Sequence, residues 1–168
     1  MAKIDKTSIG KKITLVSPDL KDYAKVPLEC EPKRTNRWFV TFPEVFEIPS
    51  WVVSKTERPS IKINGNLNEI NPITFIFIDP IGPSTTPKIM RIIRAMLNNE
   101  GETNLIDTLK NGFEYNLELL DPIGVTIEKW IISGCDIISV DFGDLSYSED
   151  EIVKCTMVIQ PKKIKLQD

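Results

Sequence analysis

Residues Phe113–Leu120 constrain this chain more than any other stretch. Phe113, Tyr115, Leu117 and Leu119 fall on one face of an extended strand, and Glu114, Asn116 and Glu118 on the other. Such a strand is dry on one side and wet on the other. It predicts an antiparallel sheet covered on one face and argues against the doubly covered parallel sheet of an α/β fold.

The remaining segments follow suit. Arg37–Phe42 reads as a strand with Trp38, Val40 and Phe42 on one face, ended by Pro43. Residues 44–58 hold Val45, Phe46, Ile48, Trp51, Val52 and Val53, but Pro49 makes this a poor central strand and predicts partial exposure. Ser60–Asn64 alternates and runs into the turn signal Asn64-Gly65-Asn66. Ile73–Ile78 is apolar on both faces, which predicts cover on both. Thr86 and Pro87 open a helix whose apolar stripe is Ile89, Ile92, Ile93, Met96 and Leu97, with Lys88, Arg91 and Arg94 off the stripe and Gly101 as the stop. A second short helix is predicted over Asn104–Asn111, closed by Gly112. Val125–Ser133, Asp136–Phe142 and Glu151–Gln160 read as strands, Gly143–Asp150 as a polar loop, and Lys162-Lys163-Ile164-Lys165 as a short basic end.

Asp-Pro-Ile-Gly occurs at 79–82 and again at 121–124, each time after an apolar strand. Proline–glycine turns recur for local reasons, so two similar turns account for this more simply than a duplication. Short strands linked by turns, with one substantial helix, predict a mainly β fold: an antiparallel β-sandwich or partial barrel with one packed α-helix. Two regions are expected. Residues 1–36 form a polar N-terminal arm punctuated by Pro18, Pro27 and Pro32, with one short strand at Lys12–Ser17, and residues 37–168 form a single β domain.

Composition narrows the chemistry. The 168 residues are 41% hydrophobic and 27% charged, enough for a real core and unlike a disordered chain. Net charge is −3, which gives no general affinity for nucleic acid. The arm carries a net +3 and the remainder −6. That split suits pairing between copies, and equally a solvated tail beside an ordinary surface. There is no histidine, which removes His-based triads, Cys–His nucleophiles and His metal sites together. No Gly-rich phosphate loop occurs. The cysteines are Cys30, Cys135 and Cys155, with no CxxC; the last two sit in apolar runs and read as core residues of a protein made in a reducing compartment. Met1-Ala2-Lys3-Ile4-Asp5 has no apolar signal core, and no window approaches the ~18 apolar residues of a membrane span. The expectation is a soluble chain, cytoplasmic at synthesis, with no membrane partner.

No catalytic, cofactor-binding or metal site is expected. The acidic pairs Glu114 with Glu118 and Asp141 with Asp144 read most simply as solvated faces. Asp144–Glu151 lacks the spacing of a calcium loop. Trp38, Phe39, Phe42, Phe46 and Trp51, with Arg34 and Arg37 nearby, have the ingredients of a single-strand nucleic-acid platform. The acidic body favours core packing or subunit contact instead, and Trp51 reads as an interface anchor.

Taken in order, several segments resemble the tail tube proteins of contractile-tailed bacteriophages, a family related to the tubes of contractile injection systems and secretion machines. They are Asn36-Arg37-Trp38-Phe39-Val40-Thr41-Phe42, the irregular stretch into Arg58-Pro59-Ser60-Ile61-Lys62-Ile63, the strand and helix of 73–98, and a C-terminal third. That third runs Leu119-Leu120-Asp121-Pro122-Ile123-Gly124, Glu128-Lys129-Trp130, Gly134-Cys135-Asp136-Ile137, Leu145-Ser146-Tyr147-Ser148 and the final strand Ile152–Ile159. The likeness covers about residues 36–166 and is one of order and texture.

The resemblance implies a structural virion protein and no enzyme. Hexameric rings would stack into a hollow tail tube, their inner sheets joined across subunits into a continuous β-barrel that leaves no edge strand. DNA would pass through the lumen during ejection without specific binding. The partners would be other copies, the sheath, and baseplate and terminator proteins, in the virion tail after assembly in the host cytoplasm. Glu114 and Glu118 would line the lumen. Phe46, Ile48, Trp51 and Val52 would make inter-subunit or inter-ring contacts, and the basic arm would meet an acidic neighbour. The Gln160-Pro161-Lys162-Lys163 ending and the long arm depart from the family pattern and suit a baseplate tube-initiator or tail-end adaptor as an alternative. A different class is a small β-barrel ligand-binding module, which would stay monomeric.

Overall fold

The computed structural model describes residues 33–65, 67–148 and 150–167. The strand expected at Lys12–Ser17, Cys30 and most of the basic arm lie outside the described residues. The β domain is built from strands β1 (Trp38–Thr41), β2 (Val53–Thr56), β3 (Ile61–Asn64), β4 (Leu67–Ile70) and β5 (Ile73–Ile78), helices α1 (Thr86–Asn98) and α2 (Thr103–Lys110), then β6 (Phe113–Leu120), β7 (Thr126–Asp141), β8 (Lys154–Gln160) and β9 (Lys163–Gln167).

All described strand pairs are antiparallel. β7 organises them. The sequence reads it as two strands split at Gly134, but it is one 16-residue strand. Its first half pairs β6 on one side and β9 on the other, and its second half pairs β8. The chain of pairings therefore gives two halves: β1-β6-β7-β9, and β7-β8-β5-β2. Gly134 lies between them at φ +64, a backbone state that side chains disfavour. A Cβ there would come within 3.0 Å of Lys162 Cβ, just where β8 gives way to β9. Gly134 therefore lets the ribbon of β7 against β8 and β9 change direction.

The two halves face one another across the core. Val40, Tyr115, Leu117 and Ile132 are buried from the first, and Phe75, Phe77, Met157 and Ile159 from the second. The ring of Phe75 on β5 meets Tyr115 on β6 edge-on at 5.2 Å, and Phe42 lies 5.2 Å from Phe75 and 5.7 Å from Tyr115. Aromatic pairs of this kind add about 0.5–1.5 kcal/mol each beyond their area burial. β6 buries Phe113, Tyr115, Leu117 and Leu119, as its alternation predicts. Ile73, Phe75 and Phe77 are buried, but the other face of β5 is only half-covered at Thr74, Ile76 and Ile78.

Two helices accompany the sheet. Asp79, at the end of β5, reaches the start of α1 and accepts from Thr85 N–H (2.6 Å), Thr86 N–H (3.2 Å), Ser84 Oγ (2.8 Å) and Thr86 Oγ1 (2.6 Å). Its carboxylate thus satisfies amides that the first turn of a helix leaves open. Ile89, Ile92 and Ala95 of α1 are buried. Met96 and Leu97, expected in the apolar stripe, are exposed, and the small Ala95 carries the buried face in the last turn.

The segment after β1 is partly exposed, and the residues expected to reach a neighbouring subunit from it are mostly among its buried ones. Pro43 and Pro49 each open a short 3-10 turn, Glu44–Phe46 and Ser50–Val52. The turns tuck Phe46, Ile48 and Val52 into the core. The cations of α1 hold them there: Arg91 Nη2 donates to the Val45 carbonyl and Lys88 Nζ to the Glu47 carbonyl, both at 2.7 Å.

Candidate assembly interface

Cross-strand register fixes what the wet face of the first half carries. Antiparallel partners share a face, so Phe39 and Thr41 of β1 stand beside Glu118 and Asn116 of β6. Lys129 and Ile131 of β7 follow, opposite Glu118 and Asn116, and then Gln167, Lys165 and Lys163 of β9, opposite Lys129, Ile131 and Ser133. Both predicted lumen residues lie here. Glu114 is exposed, whereas Glu118 is drawn into a local network. Lys129 Nζ sits 3.2 Å from Glu118 Oε1, and Thr126 Oγ1 donates to Oε2 at 2.7 Å. Glu118 is therefore a paired anion, and the face mixes charges of both signs.

This half of the sheet ends in two edge strands. Among the described strands, β1 pairs β6 alone and β9 pairs β7 alone, so each leaves one row of backbone groups without a described strand partner. The sequence reading missed β9, which it took as a basic tail. The signal was the alternation of Lys163, Ile164, Lys165 and Leu166, period two over too few residues to stand out.

The residues expected to reach a neighbouring subunit divide three to one. Phe46 (1% exposed), Ile48 and Val52 are core residues of the chain itself. Phe46 packs edge-on against Phe113 at 5.0 Å. Burial in the chain's own core leaves these three without surface for a neighbour. Trp51, 57% exposed, remains available for contact. A second apolar surface is the β3–β4 hairpin, a two-stranded sheet that pairs with no other described strand and exposes Ile61 and Ile63. Isolated hairpins are marginal in water, so this one depends on what it packs against.

Its base is tied down by residues that sequence reasoning did not single out. Arg58 Nη2 donates to Glu128 Oε1 at 2.5 Å, and Trp130 Nε1 donates to the same oxygen at 2.5 Å. Gln160 Nε2 donates to the Ile70 carbonyl at 2.8 Å, and Asn71 pairs with Ser60 through backbone and side chain. The available signal was an acid in the core phase of a strand: Glu128 shares its face with Trp130 and the buried Ile132.

Two buried thiols are inert by environment. Burial, with Asp136 and Glu114 adding to it, pushes Cys135 up to about 12, and burial also raises Cys155. Neither is disulfide-bonded. Among the described residues, no group of three or more His, Cys, Asp or Glu is placed to hold a metal ion, and no helix is long and apolar enough to cross a membrane.

No protein-family model matches the sequence, and a search of well-characterised proteins finds no sequence relative. Solved structures do match the fold. A chain of the extracellular contractile injection system PVC, in its sheath-tube complex in the extended state, superposes with a TM-score of 0.57 at 13% identity, over 82% of this chain and 93% of that one. A chain of the anti-feeding prophage tube-terminating cap gives 0.57 at 13% identity, over 82% and 91%. A chain of the 6-fold symmetrised anti-feeding prophage baseplate gives 0.54 at 12% identity, over 82% and 96%. This antiparallel β fold with its packed helices is therefore shared with chains of tube-complex, cap and baseplate structures of contractile injection systems.

Proposed function

We propose that this chain is a structural subunit of a contractile-injection-type tail, in which rings of copies stack into a hollow tube. The observation that carries the reading is the pair of edges that the described strands leave open on one sheet. If β1 of one copy pairs β9 of the next, the first half of the sheet continues around a ring and closes on itself, and no edge remains. The wet face then looks into the lumen, with Glu114 exposed on it and Glu118 neutralised by Lys129. Sixfold rings suit the fold match to a 6-fold symmetrised baseplate chain. The partners on this reading are further copies, a sheath outside the tube, and cap and baseplate proteins at its ends. The location is the tail of the particle, after assembly in the cytoplasm. Trp51 and the β3–β4 hairpin are among the exposed apolar groups that could meet a neighbouring copy or the next ring.

A second reading stays within this class. The fold matches cap and baseplate chains about as well as a sheath-tube chain, which supports an initiator or adaptor present in few copies. Copy number per particle separates the two.

Cysteine pairs across the proposed seam test the ring directly. In a Cys30→Ser background, Thr41→Cys combined in turn with Lys163→Cys, Lys165→Cys or Gln167→Cys should yield at least one variant that oxidises to a ladder of covalent oligomers ending in a closed ring. Monomer alone in all three would refute the β1–β9 seam.

A further inference from the structure

The loop between β7 and β8, residues 142–153, turns apolar side chains to solvent. Its backbone is tied in place: Gly143 N–H donates to Asp141 Oδ1 at 2.8 Å, Asp79 N–H to the Val153 carbonyl at 3.0 Å, and Ser148 N–H to Ser146 Oγ at 3.2 Å. Leu145, Tyr147 and Ile152 are nevertheless exposed. They line a groove of about 480 Å³ together with Asp144, Glu151 and Lys154. Residues 142–153 carry four acids and no lysine or arginine. A groove that is apolar and acidic together suits a segment that is apolar and basic.

We propose that this groove takes residues 9–16 of the N-terminal arm from a neighbouring copy of the chain. Ile9-Gly10-Lys11-Lys12-Ile13-Thr14-Leu15-Val16 has the complementary chemistry. Residues 6–18 hold three lysines and no acid, and Ile13 and Leu15 share one face of an extended chain. Those two would cover Leu145, Tyr147 and Ile152, and Lys11 and Lys12 would meet Asp144 and Glu151. Topology decides between the chain's own arm and that of another copy. The chain enters β1 beside the β6–β7 turn: the Arg37 carbonyl accepts from Leu120 N–H, and Leu120 pairs with Thr126, the first residue of β7. The acidic loop follows Asp141, the last residue of that 16-residue strand. Entry and groove therefore lie at opposite ends of β7, the placement that a head-to-tail exchange between copies needs. The 16 residues between Val16 and Lys33 span about 55 Å when extended, enough to reach an adjoining copy. Whether that copy sits in the same ring or the next rests on the tube reading above; the exchange itself does not.

Mixing two full-length variants in a Cys30→Ser background tests this, one carrying Thr14→Cys and the other Ser146→Cys. Cys135 and Cys155 are buried, so the introduced thiols are the ones able to pair. Mild oxidation should give a disulfide-linked heterodimer, identified by mass spectrometry of the linked peptides. Lys11→Glu with Lys12→Glu in the arm variant should cut its yield about tenfold, as expected for two solvated charge pairs. Asp144→Lys with Glu151→Lys in the loop variant should then restore it. Absence of the heterodimer, or a yield that ignores both charge reversals, overturns the proposal. So does a chain carrying both cysteines that closes on itself and does not link to a second copy. Electron microscopy of the parent chain keeps the two readings apart. Rings without the heterodimer refute the arm exchange and leave the tube; the heterodimer without rings refutes the tube and leaves the exchange.

Discussion

Arg58 and Glu128, 70 residues apart in the chain, meet at 2.5 Å. The side chain of Glu128 is 4% exposed and that of Arg58 is 58% exposed. One end of the pair belongs to the core and the other to the segment that leads into the β3–β4 hairpin. The tie therefore sets where the hairpin leaves the sandwich.

Breaking it should cost stability and hairpin order together. Arg58→Ala removes a donor from the buried Glu128 carboxylate, and the expected loss is about 1–3 kcal/mol in urea unfolding, near the lower end because Arg58 is half in solvent. Amide exchange should speed up selectively over residues 57–71. Arg58→Leu combined with Glu128→Leu should recover part of the stability, since an apolar pair needs no compensating donor. It should not restore the slow exchange of the hairpin.

Asp79 should make stability depend on pH in the acid range. Burial works to raise its carboxyl, but the donors on Thr86, Ser84 and the backbone of Thr85 and Thr86 outweigh it and hold the pKa below the ordinary 3.8. A depressed carboxyl contributes stability that is present above its unfolded value of about 3.8 and lost as pH falls through the folded value. Asp79→Asn should cost about 1 kcal/mol at neutral pH, as loss of a helix cap does. The gap to the parent chain should shrink as denaturation is repeated at successively lower pH below 3.8.

Tyr115→Phe should stabilise the fold by about 1 kcal/mol, because its hydroxyl is buried without a hydrogen-bond partner among the described residues. The ring contacts with Phe42 and Phe75 would remain. A shift of the urea midpoint to higher concentration at unchanged slope is the expected result.

Gly134→Ala should be among the more damaging single changes. The positive φ alone costs about 1–2 kcal/mol for an alanine. The approach of its Cβ to Lys162 adds to that. Thermal unfolding should fall by several degrees, about 2–4 °C for each kcal/mol in a chain of this size.

Local periodicity was enough to place β1, β5, β6, β8 and both helices, because each repeats its signal over several residues. It failed where a partner distant in sequence decides. Pro49 made residues 44–58 read as partly exposed, which left open which side chains are buried; Arg91 and Lys88 of α1 fix the turns that bury Phe46, Ile48 and Val52. Asp79 reads as a turn residue, and its capping of α1 depends on β5 ending beside that helix. The wet face was legible at Glu114 and Glu118, but its charge was not. Lys129, Lys163 and Lys165 join those glutamates only through the register of three strands.

Negative-stain electron microscopy of the purified chain at increasing concentration tests ring assembly itself. Rings of uniform width that stack into hollow tubes should appear as concentration rises. Small monodisperse particles at every concentration would contradict it, and would leave the described edges of β1 and β9 without the partner proposed for them.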